Sequence, residues 1–175
     1  MKDFLLIGIT LPDEVKDESK KIVDYLSSGT VDIIHLRKPS WSKDKFSRLI
    51  EKIPAEFHAR LKIHDCFELL NRFDLRGVHL NSRNPVAPGE NCLISKSAHS
   101  IEELNDYNKY EYITLSPIFD SISKQGYKGN FIPEQLADVL KGKRIIALGG
   151  VTPDSFSRLK ENNFYGAAMS GSLWN

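Results

Sequence analysis

The feature that most constrains the fold of this chain is the alternation of short apolar runs with segments of helical periodicity. Several runs are rich in Ile, Val and Leu without strict polar alternation, which is typical of strands buried on both faces. Strands that alternate with helices form a parallel sheet. The eight predicted strands are residues 4–9, 31–36, 61–63, 77–80, 92–95, 112–115, 144–148 and 166–169.

The segments between the runs carry helix start and stop signals. Gly29 and Pro54 end two periodic segments, and Pro133 opens a third. Ser100 and Glu103 match a capping box, which predicts a further helix after the fifth strand.

Eight strands in this order predict a (β/α)8 barrel, although pattern alone leaves an open doubly wound sheet as an alternative. The chain has 175 residues, whereas such barrels usually have about 250. The shortage falls at residues 81–91, which leave little room for a helix, and after the eighth strand, which ends close to Asn175. We therefore expect a single barrel domain over residues 1–175 with shortened helices after strands four and eight.

Composition narrows the class of protein. With 24 Lys and Arg against 23 Asp and Glu, the net charge is +1, which gives no reason to expect a nucleic-acid partner. No apolar stretch is long enough for a membrane span or the core of a signal peptide. Cys66 and Cys92 fit no CxxC pattern, and free thiols indicate a reducing, cytoplasmic setting.

Polar side chains gather where the first predicted strands end, and in either fold the chemistry belongs at the carboxyl ends of strands. His35 and Arg37 share one face of the second strand, His64 and Asp65 follow the third, and His79 lies on the fourth. The three histidines and Asp65 could converge on a zinc ion. The alternative is that each histidine only forms hydrogen bonds, since no short HxH or HxxxH spacing is present.

The later strand ends carry candidate anion-binding groups. The loop after the sixth strand contains Ser121, Ser123 and Lys124, and could close over a ligand with Lys124 against an anion. Glycines after strands seven and eight, at 149–150 and at Gly171, would let backbone N–H groups approach a phosphate.

With these residues in view, the chain resembles the thiamine phosphate synthase family, which includes a related thiazole tautomerase. The similarity is most specific at residues 97–103, 116–124, 146–151 and 168–171. It implies a (β/α)8 barrel that joins hydroxymethylpyrimidine diphosphate to thiazole phosphate, giving thiamine phosphate and diphosphate. It also implies Mg²⁺ at the departing diphosphate, and a phosphorylated pyrimidine and a phosphorylated thiazole as the small-molecule partners.

Residue by residue, the resemblance implies three kinds of role. The residues concerned are Arg37, Ser97 and Lys124 as catalytic groups, Asp65 with Asn84 at the metal positions, and His35, Lys38, His64, His79, Arg83, Ser121, Ser123, Gly149, Gly150, Ser170 and Gly171 as substrate contacts.

The first half of the chain departs from the family pattern. His35 replaces a glutamine, and Asn84 stands where a second metal carboxylate is usual. Lys38 and Arg83 add positive charge, which suggests either a cationic substitute for part of the metal's role or a barrel that binds thiamine precursors without turnover. Pro117 occupies the position of the tautomerase histidine, which argues against tautomerisation.

The last residues of the sequence bear on whether the protein forms a dimer. Little helix follows the eighth strand, so Leu173 and Trp174 are candidates for burial against the barrel or against a second subunit. We expect a homodimer.

Overall fold

The computed structural model describes residues 4–89, 92–120 and 128–174. Its eight parallel strands close into a barrel in which each strand neighbours the next along the chain. This confirms the (β/α)8 barrel and excludes the open sheet. The strands are β1 (Leu5–Ile9), β2 (Ile33–Leu36), β3 (Leu61–Ile63), β4 (Gly77–Leu80), β5 (Leu93–Ala98), β6 (Ile113–Leu115), β7 (Ile145–Leu148) and β8 (Gly166–Met169).

The helices are fewer and shorter than in a full barrel. No described residue between β4 and β5 is helical, so the shortening predicted there is confirmed. The helix after β8 covers 4 described residues. The α-helices are α1 (Glu18–Ser28), α2 (Lys43–Glu51), α3 (Pro133–Leu140), α4 (Phe156–Glu161) and α5 (Gly171–Trp174), and 3-10 helices cover Ala55–Arg60, Phe67–Asn71, Glu102–Leu104, Tyr107–Lys109 and Pro153–Ser155.

The capping box predicted at Ser100 and Glu103 is wrong. The segment forms two 3-10 helices of 3 residues each, and no side chain caps the first of them. Asn105 and Asp106 interrupt the segment, and such side chains compete with the helix for backbone hydrogen bonds. Leu104 still reaches the core with 0% exposure, although no α-helix forms there.

The chain divides into two compact units, a first unit of residues 8–94 and a second unit of residues 1–7 and 95–175. In the first unit, α1 buries Ile22 and Leu26. The side chain of Ser42 accepts the N–H of Lys45 and so caps α2.

In the second unit, α3 buries Leu136 and Leu140 while α4 buries Leu159. The two helices are joined at their exposed faces by a bidentate pair in which the guanidinium of Arg158 donates to both carboxylate oxygens of Glu134. The helices of both units therefore bury apolar residues along one side.

The last helix buries Trp174 and leaves Leu173 half-buried. Trp174 is 7% exposed within this single chain, so no second subunit is needed to bury it. The homodimer stays a prediction. Among the described helices, none combines the length and the apolar character that crossing a bilayer requires.

Candidate active site

Three histidines of the first unit meet at the carboxyl ends of their strands. His35 lies on β2, His79 on β4, and His64 directly follows β3. A hydrogen bond of 2.9 Å joins Nδ1 of His35 to Nε2 of His64. The rings of His64 and His79 stack with their centroids 4.3 Å apart. The structure thus brings together three of the four residues proposed for a zinc site, and Asp65 is not part of the group.

Burial decides the charge of this histidine cluster (His35, His64 and His79). Burial lowers the pKa of His35 and of His64 well below the usual value of an imidazole, and lowers the pKa of His79 to about 3. Positive charge on neighbouring groups adds to the effect of burial. The three rings are therefore neutral at physiological pH, and each can offer one N–H donor and one acceptor nitrogen.

A buried lysine that the sequence analysis missed lies beside the cluster. Lys62 on β3 pairs in register with His35 and is fully buried. Its ammonium donates to the carbonyl oxygen of Leu93 at 2.9 Å and to that of Val78 at 3.3 Å. The charge of Lys62 helps to lower the pKa values of His35 and His79. In the sequence, Lys62 stands between Leu61 and Ile63 in a short apolar run, and this position was the signal that its side chain is buried.

The histidine cluster fits a hydrogen-bonded network better than a zinc site. The potential ligand atoms lie within 4.8 Å of one another, and neutral imidazoles are the ligating form. However, a zinc ion would have to break the hydrogen bond between His35 and His64 and would sit close to the charge of Lys62. Both costs favour the alternative in which the histidines bind one another and a polar ligand.

Asp65 follows the cluster and is surrounded by N–H donors. Its Oδ1 accepts from the guanidinium of Arg83 at 3.2 Å and from the side-chain amide of Asn84 at 3.1 Å. Its Oδ2 accepts from the backbone N–H of Lys38 at 3.3 Å. A carboxylate ordinarily offers about four acceptor positions, so most of the acceptor capacity of Asp65 is used within the chain.

A turn after β4 places these donors. The side-chain oxygen of Asn81 accepts the backbone N–H groups of Arg83 and Asn84, a pattern typical of an Asx turn. The side-chain amide of Asn81 donates back to the carbonyl oxygens of His64 and His79. This short run of residues therefore fixes Arg83 and Asn84 against Asp65.

The Mg²⁺ that the resemblance implies does not fit this donor set. The Asn84 side chain donates N–H bonds to Asp65 and to the carbonyl oxygen of His64 instead of offering a carboxylate. The charge of Arg83 already neutralises Asp65. Magnesium prefers oxygen ligands, usually one or two carboxylates completed by phosphate and water. The amide nitrogen of Asn84 faces the carboxylate of Asp65, an arrangement that does not favour the predicted role of Asn84 as a metal ligand.

Arg37 is held by its backbone and leaves its guanidinium available. Its backbone N–H donates to the hydroxyl oxygen of Thr10 at 2.9 Å. Burial and the neighbouring charge of Arg83 lower the pKa of Arg37 from its usual value. In the part of the chain that the structure describes, we find no hydrogen-bond acceptor for the guanidinium. A half-buried guanidinium in this state is suited to an anion.

Lys38, one residue further along, points into the protein. Its fully buried ammonium donates to the carbonyl oxygens of Leu11 and Asp13 and to the carboxylate of Glu18, each at 2.7 Å. All three of its N–H donors are used, so the structure assigns Lys38 to the attachment of the loop after β1. This arrangement does not favour the predicted substrate contact.

In the second unit, Ser97 lies on β5 and pairs in register with Thr114 on β6. The strand continues further than predicted, to Ala98. His99 follows it and contacts Ser116, with 3.1 Å between its Nδ1 and the carbonyl oxygen. The predicted site residue Ser97 is thus part of the barrel wall and not of a loop.

The glycines after β7, for which the sequence predicted a phosphate role, have a packing reason of their own. Gly149 and Gly150 have φ values of 94° and 63°. A Cβ atom on Gly150 would lie 2.2 Å from the carbonyl oxygen of Asp120, and one on Gly149 would lie 2.9 Å from Pro117. The loop after β6 therefore packs directly on these two positions, which explains why they are glycine without any ligand.

The remaining predicted residues are only partly described. Ser170 and Gly171 lie where β8 passes into α5, and the hydroxyl of Ser172 donates to the carbonyl oxygen of Val151 after β7 at 2.9 Å. The predicted lid residues Ser121, Ser123 and Lys124 lie outside the described residues.

A closed parallel barrel with polar groups at the carboxyl ends of its strands defines the class of (β/α)8-barrel enzymes. The family model described as thiamine monophosphate synthase matches residues 6–173. The chain belongs to this family, as the resemblance in its sequence predicted.

Known proteins agree with this assignment. The thiamine-phosphate synthase of Clostridium tetani is 24% identical, with 98% of this chain and 88% of that protein covered, and that of Syntrophomonas wolfei is 26% identical, with 97% and 83% covered. The solved structure of thiamine phosphate pyrophosphorylase from Bacteroides thetaiotaomicron is 36% identical with a TM-score of 0.85, covering 98% of this chain and 85% of that one. The corresponding protein from Pyrococcus furiosus, 20% identical with a TM-score of 0.74 and covering 96% of this chain and 86% of that one, supports the fold.

Proposed function

We propose that this protein is a thiamine phosphate synthase that joins hydroxymethylpyrimidine diphosphate to thiazole phosphate. The observation that carries the proposal is the family match over residues 6–173. In the reaction, the bond between the pyrimidine methylene carbon and the diphosphate oxygen breaks, and the diphosphate keeps the electron pair. The thiazole nitrogen then uses its lone pair to form the new C–N bond.

The charges of the first unit suit the departing diphosphate. Negative charge grows on the leaving group as the bond breaks, and fixed positive groups stabilise that charge. Arg37 and Arg83 supply two guanidinium groups near Asp65. We assign Arg37 to the diphosphate on this ground, and the resemblance adds Ser97 and Lys124.

The neutral histidine cluster suits the heterocycle. Uncharged imidazoles avoid electrostatic repulsion with a pyrimidine cation. Their N–H groups can donate to its ring nitrogens, and their acceptor nitrogens can accept from its amino group. The low pKa values of His35, His64 and His79 keep them in this form. We propose that they contact the pyrimidine, and that Gly149, Gly150, Ser170 and Gly171 contact the thiazole phosphate.

A second candidate function is binding of thiamine precursors without turnover. It is favoured by one observation, namely that Asn84 replaces a carboxylate and donates to Asp65. A regulatory binder would retain the anion-binding groups while losing the group that assists departure of the diphosphate.

One assay separates the two functions. The purified protein is incubated with both precursors, with Mg²⁺ or with EDTA, and thiamine phosphate is quantified by chromatography. We expect product with the wild type and severe loss in Lys124→Ala, because the resemblance places Lys124 at the diphosphate. If no product forms under any metal condition while thiazole phosphate still binds measurably, the synthase proposal is wrong and the protein binds thiamine precursors without turnover.

A further inference from the structure

Asp65 is engaged in a way that a metal ligand would not be. Three N–H donors contact its two oxygens, from the Arg83 guanidinium, the Asn84 amide and the Lys38 backbone. A divalent cation at Asp65 would have to displace these donors and would meet the positive charge of Arg83. The position that a metal takes in a carboxylate site is thus filled by a guanidinium that the chain itself supplies.

The positive charge around Asp65 exceeds its negative charge. Arg37 and Arg83 each carry one positive charge, and Asp65 is the carboxylate that faces them. The neighbouring histidines are neutral and add nothing to this balance. A surplus of positive charge in a partly buried position favours a bound anion, because electrostatic attraction is stronger there than in open water.

Both guanidinium groups can reach such an anion. The side chain of Arg83 is 41% exposed, whereas that of Asp65 is 11% exposed. Arg37 is half-buried, and we find no acceptor for its side chain among the described residues. Guanidinium groups present fork-shaped pairs of donors that match the oxygens of a phosphate group. The unused donors therefore point to a polyanionic ligand.

We propose that Arg37 and Arg83 together bind the diphosphate group of the substrate without a divalent cation, and that Asp65 is a positioning residue that holds Arg83 in place. The inference rests on the proposed function for the identity of the ligand. In chemical terms, the ligand is an organic diphosphate or inorganic diphosphate. Arg83 takes the electrostatic part that a metal ion would otherwise have.

The two interpretations of Asp65 predict opposite effects of one substitution. If Asp65 held a metal, Asp65→Asn would weaken diphosphate binding. If Asp65 only positions Arg83, the asparagine oxygen still accepts the guanidinium N–H, and the competing negative charge disappears. Diphosphate binding should then be retained or strengthened.

The test is binding of inorganic diphosphate to the purified full-length chain by titration calorimetry, in EDTA and in excess Mg²⁺. We expect binding in EDTA, and we expect it to be retained or tightened in Asp65→Asn. Binding should be weakened about 10-fold or more in Arg37→Gln and in Arg83→Gln, because each loses hydrogen bonds between charged groups. Arg48→Gln, which removes an exposed arginine from α2, serves as the matched control for loss of charge and should bind like the wild type.

Arg83→Lys keeps the charge but loses the fork, so it should bind between the wild type and Arg83→Gln. Thermal unfolding of each variant shows whether it is folded. Binding that requires Mg²⁺ and is lost in Asp65→Asn would overturn the proposal, as would unchanged binding in folded Arg37→Gln and Arg83→Gln.

The outcomes also separate this proposal from the synthase assignment. If diphosphate binds in EDTA through the two arginines but no thiamine phosphate forms, the binding site stands and the synthase proposal fails. If thiamine phosphate forms only with Mg²⁺ and diphosphate binds only with Mg²⁺, the synthase proposal stands and the metal-free site fails.

Discussion

Nδ1 of His35 and Nε2 of His64 are joined by a hydrogen bond of 2.9 Å inside the first unit. One ring must donate and the other accept, so at least one of them is a neutral imidazole. His79 stacks on His64 and is equally buried. The buried histidine cluster therefore consists of three uncharged imidazoles, and burial makes their protonation unfavourable.

Acid should destabilise the protein through this cluster. The folded-state pKa values lie below the unfolded value of about 6.5, so the unfolded state binds more protons and stability falls as pH falls. The stability that the neutral histidines contribute is fully present above neutrality and is lost as the pH drops below about 6.5. For His79 the loss continues toward its folded-state pKa of about 3. At about pH 5.5, each histidine lowers the free energy of unfolding by at most about 1.4 kcal/mol relative to its value above neutrality.

Urea unfolding at about pH 7.5 and about pH 5.5 measures the effect. We expect the stability difference between the two conditions to shrink in His79→Gln, because one buried titrating group is gone. The matched control is His99→Gln, which removes an exposed histidine. An unchanged pH dependence in His79→Gln would contradict the neutral cluster.

Zinc should not bind the cluster tightly while Lys62 is present. The charge of Lys62 acts on His35 and His79, and it repels a cation in the same way. We expect less than one equivalent of Zn²⁺ by elemental analysis after dialysis at neutral pH, and tighter Zn²⁺ binding in Lys62→Met. One zinc ion per wild-type chain that is absent from His64→Gln would show that the zinc interpretation is correct after all.

The ion pair between Lys38 and Glu18 should contribute strongly to stability. Both side chains are nearly inaccessible, at 0% and 3% exposure, and burial raises the pKa of Glu18. Lys38→Met would leave a buried carboxylate without its partner, which typically costs about 3–5 kcal/mol.

Chemical denaturation of Lys38→Met and Lys45→Met provides the comparison. Lys45 pairs with Glu14 at the surface, at 42% and 69% exposure, where such pairs contribute about 1 kcal/mol or less. Equal losses in the two variants would contradict the structural role of Lys38.

Alanine should be tolerated far less at Gly150 than at Gly142. Both have a positive φ, 63° and 75°, and so share a backbone cost of about 1 kcal/mol. At Gly142 no atom lies within 4 Å of an added Cβ, whereas at Gly150 the Asp120 oxygen lies at 2.2 Å. We expect Gly150→Ala to be destabilised by about 1–3 kcal/mol more than Gly142→Ala in denaturant titrations. Similar losses would mean that the loop after β6 does not press on this glycine.

Much of the fold could be predicted from sequence because its signals are local. A run such as Ile33–Leu36 is apolar over the length of one strand, and the residues of α2 repeat with helical spacing. The failures are also local in origin. Asn105 and Asp106 break the predicted helix after β5 into 3-10 turns, and the three-residue strand that contains Lys62 is too short for its alternation to stand out.

By itself, the sequence determined the order of the strands, the family, and the presence of histidines and arginines at strand ends, since each is set by residue types close together in the chain. Only the tertiary structure decided what those side chains do. Arg37 and Lys38 are adjacent, yet one keeps its guanidinium available and the other is buried against Glu18. Asp65 acquires Arg83 from 18 residues away. Such pairings depend on which distant segments the closed sheet brings together, and no local pattern carries that information.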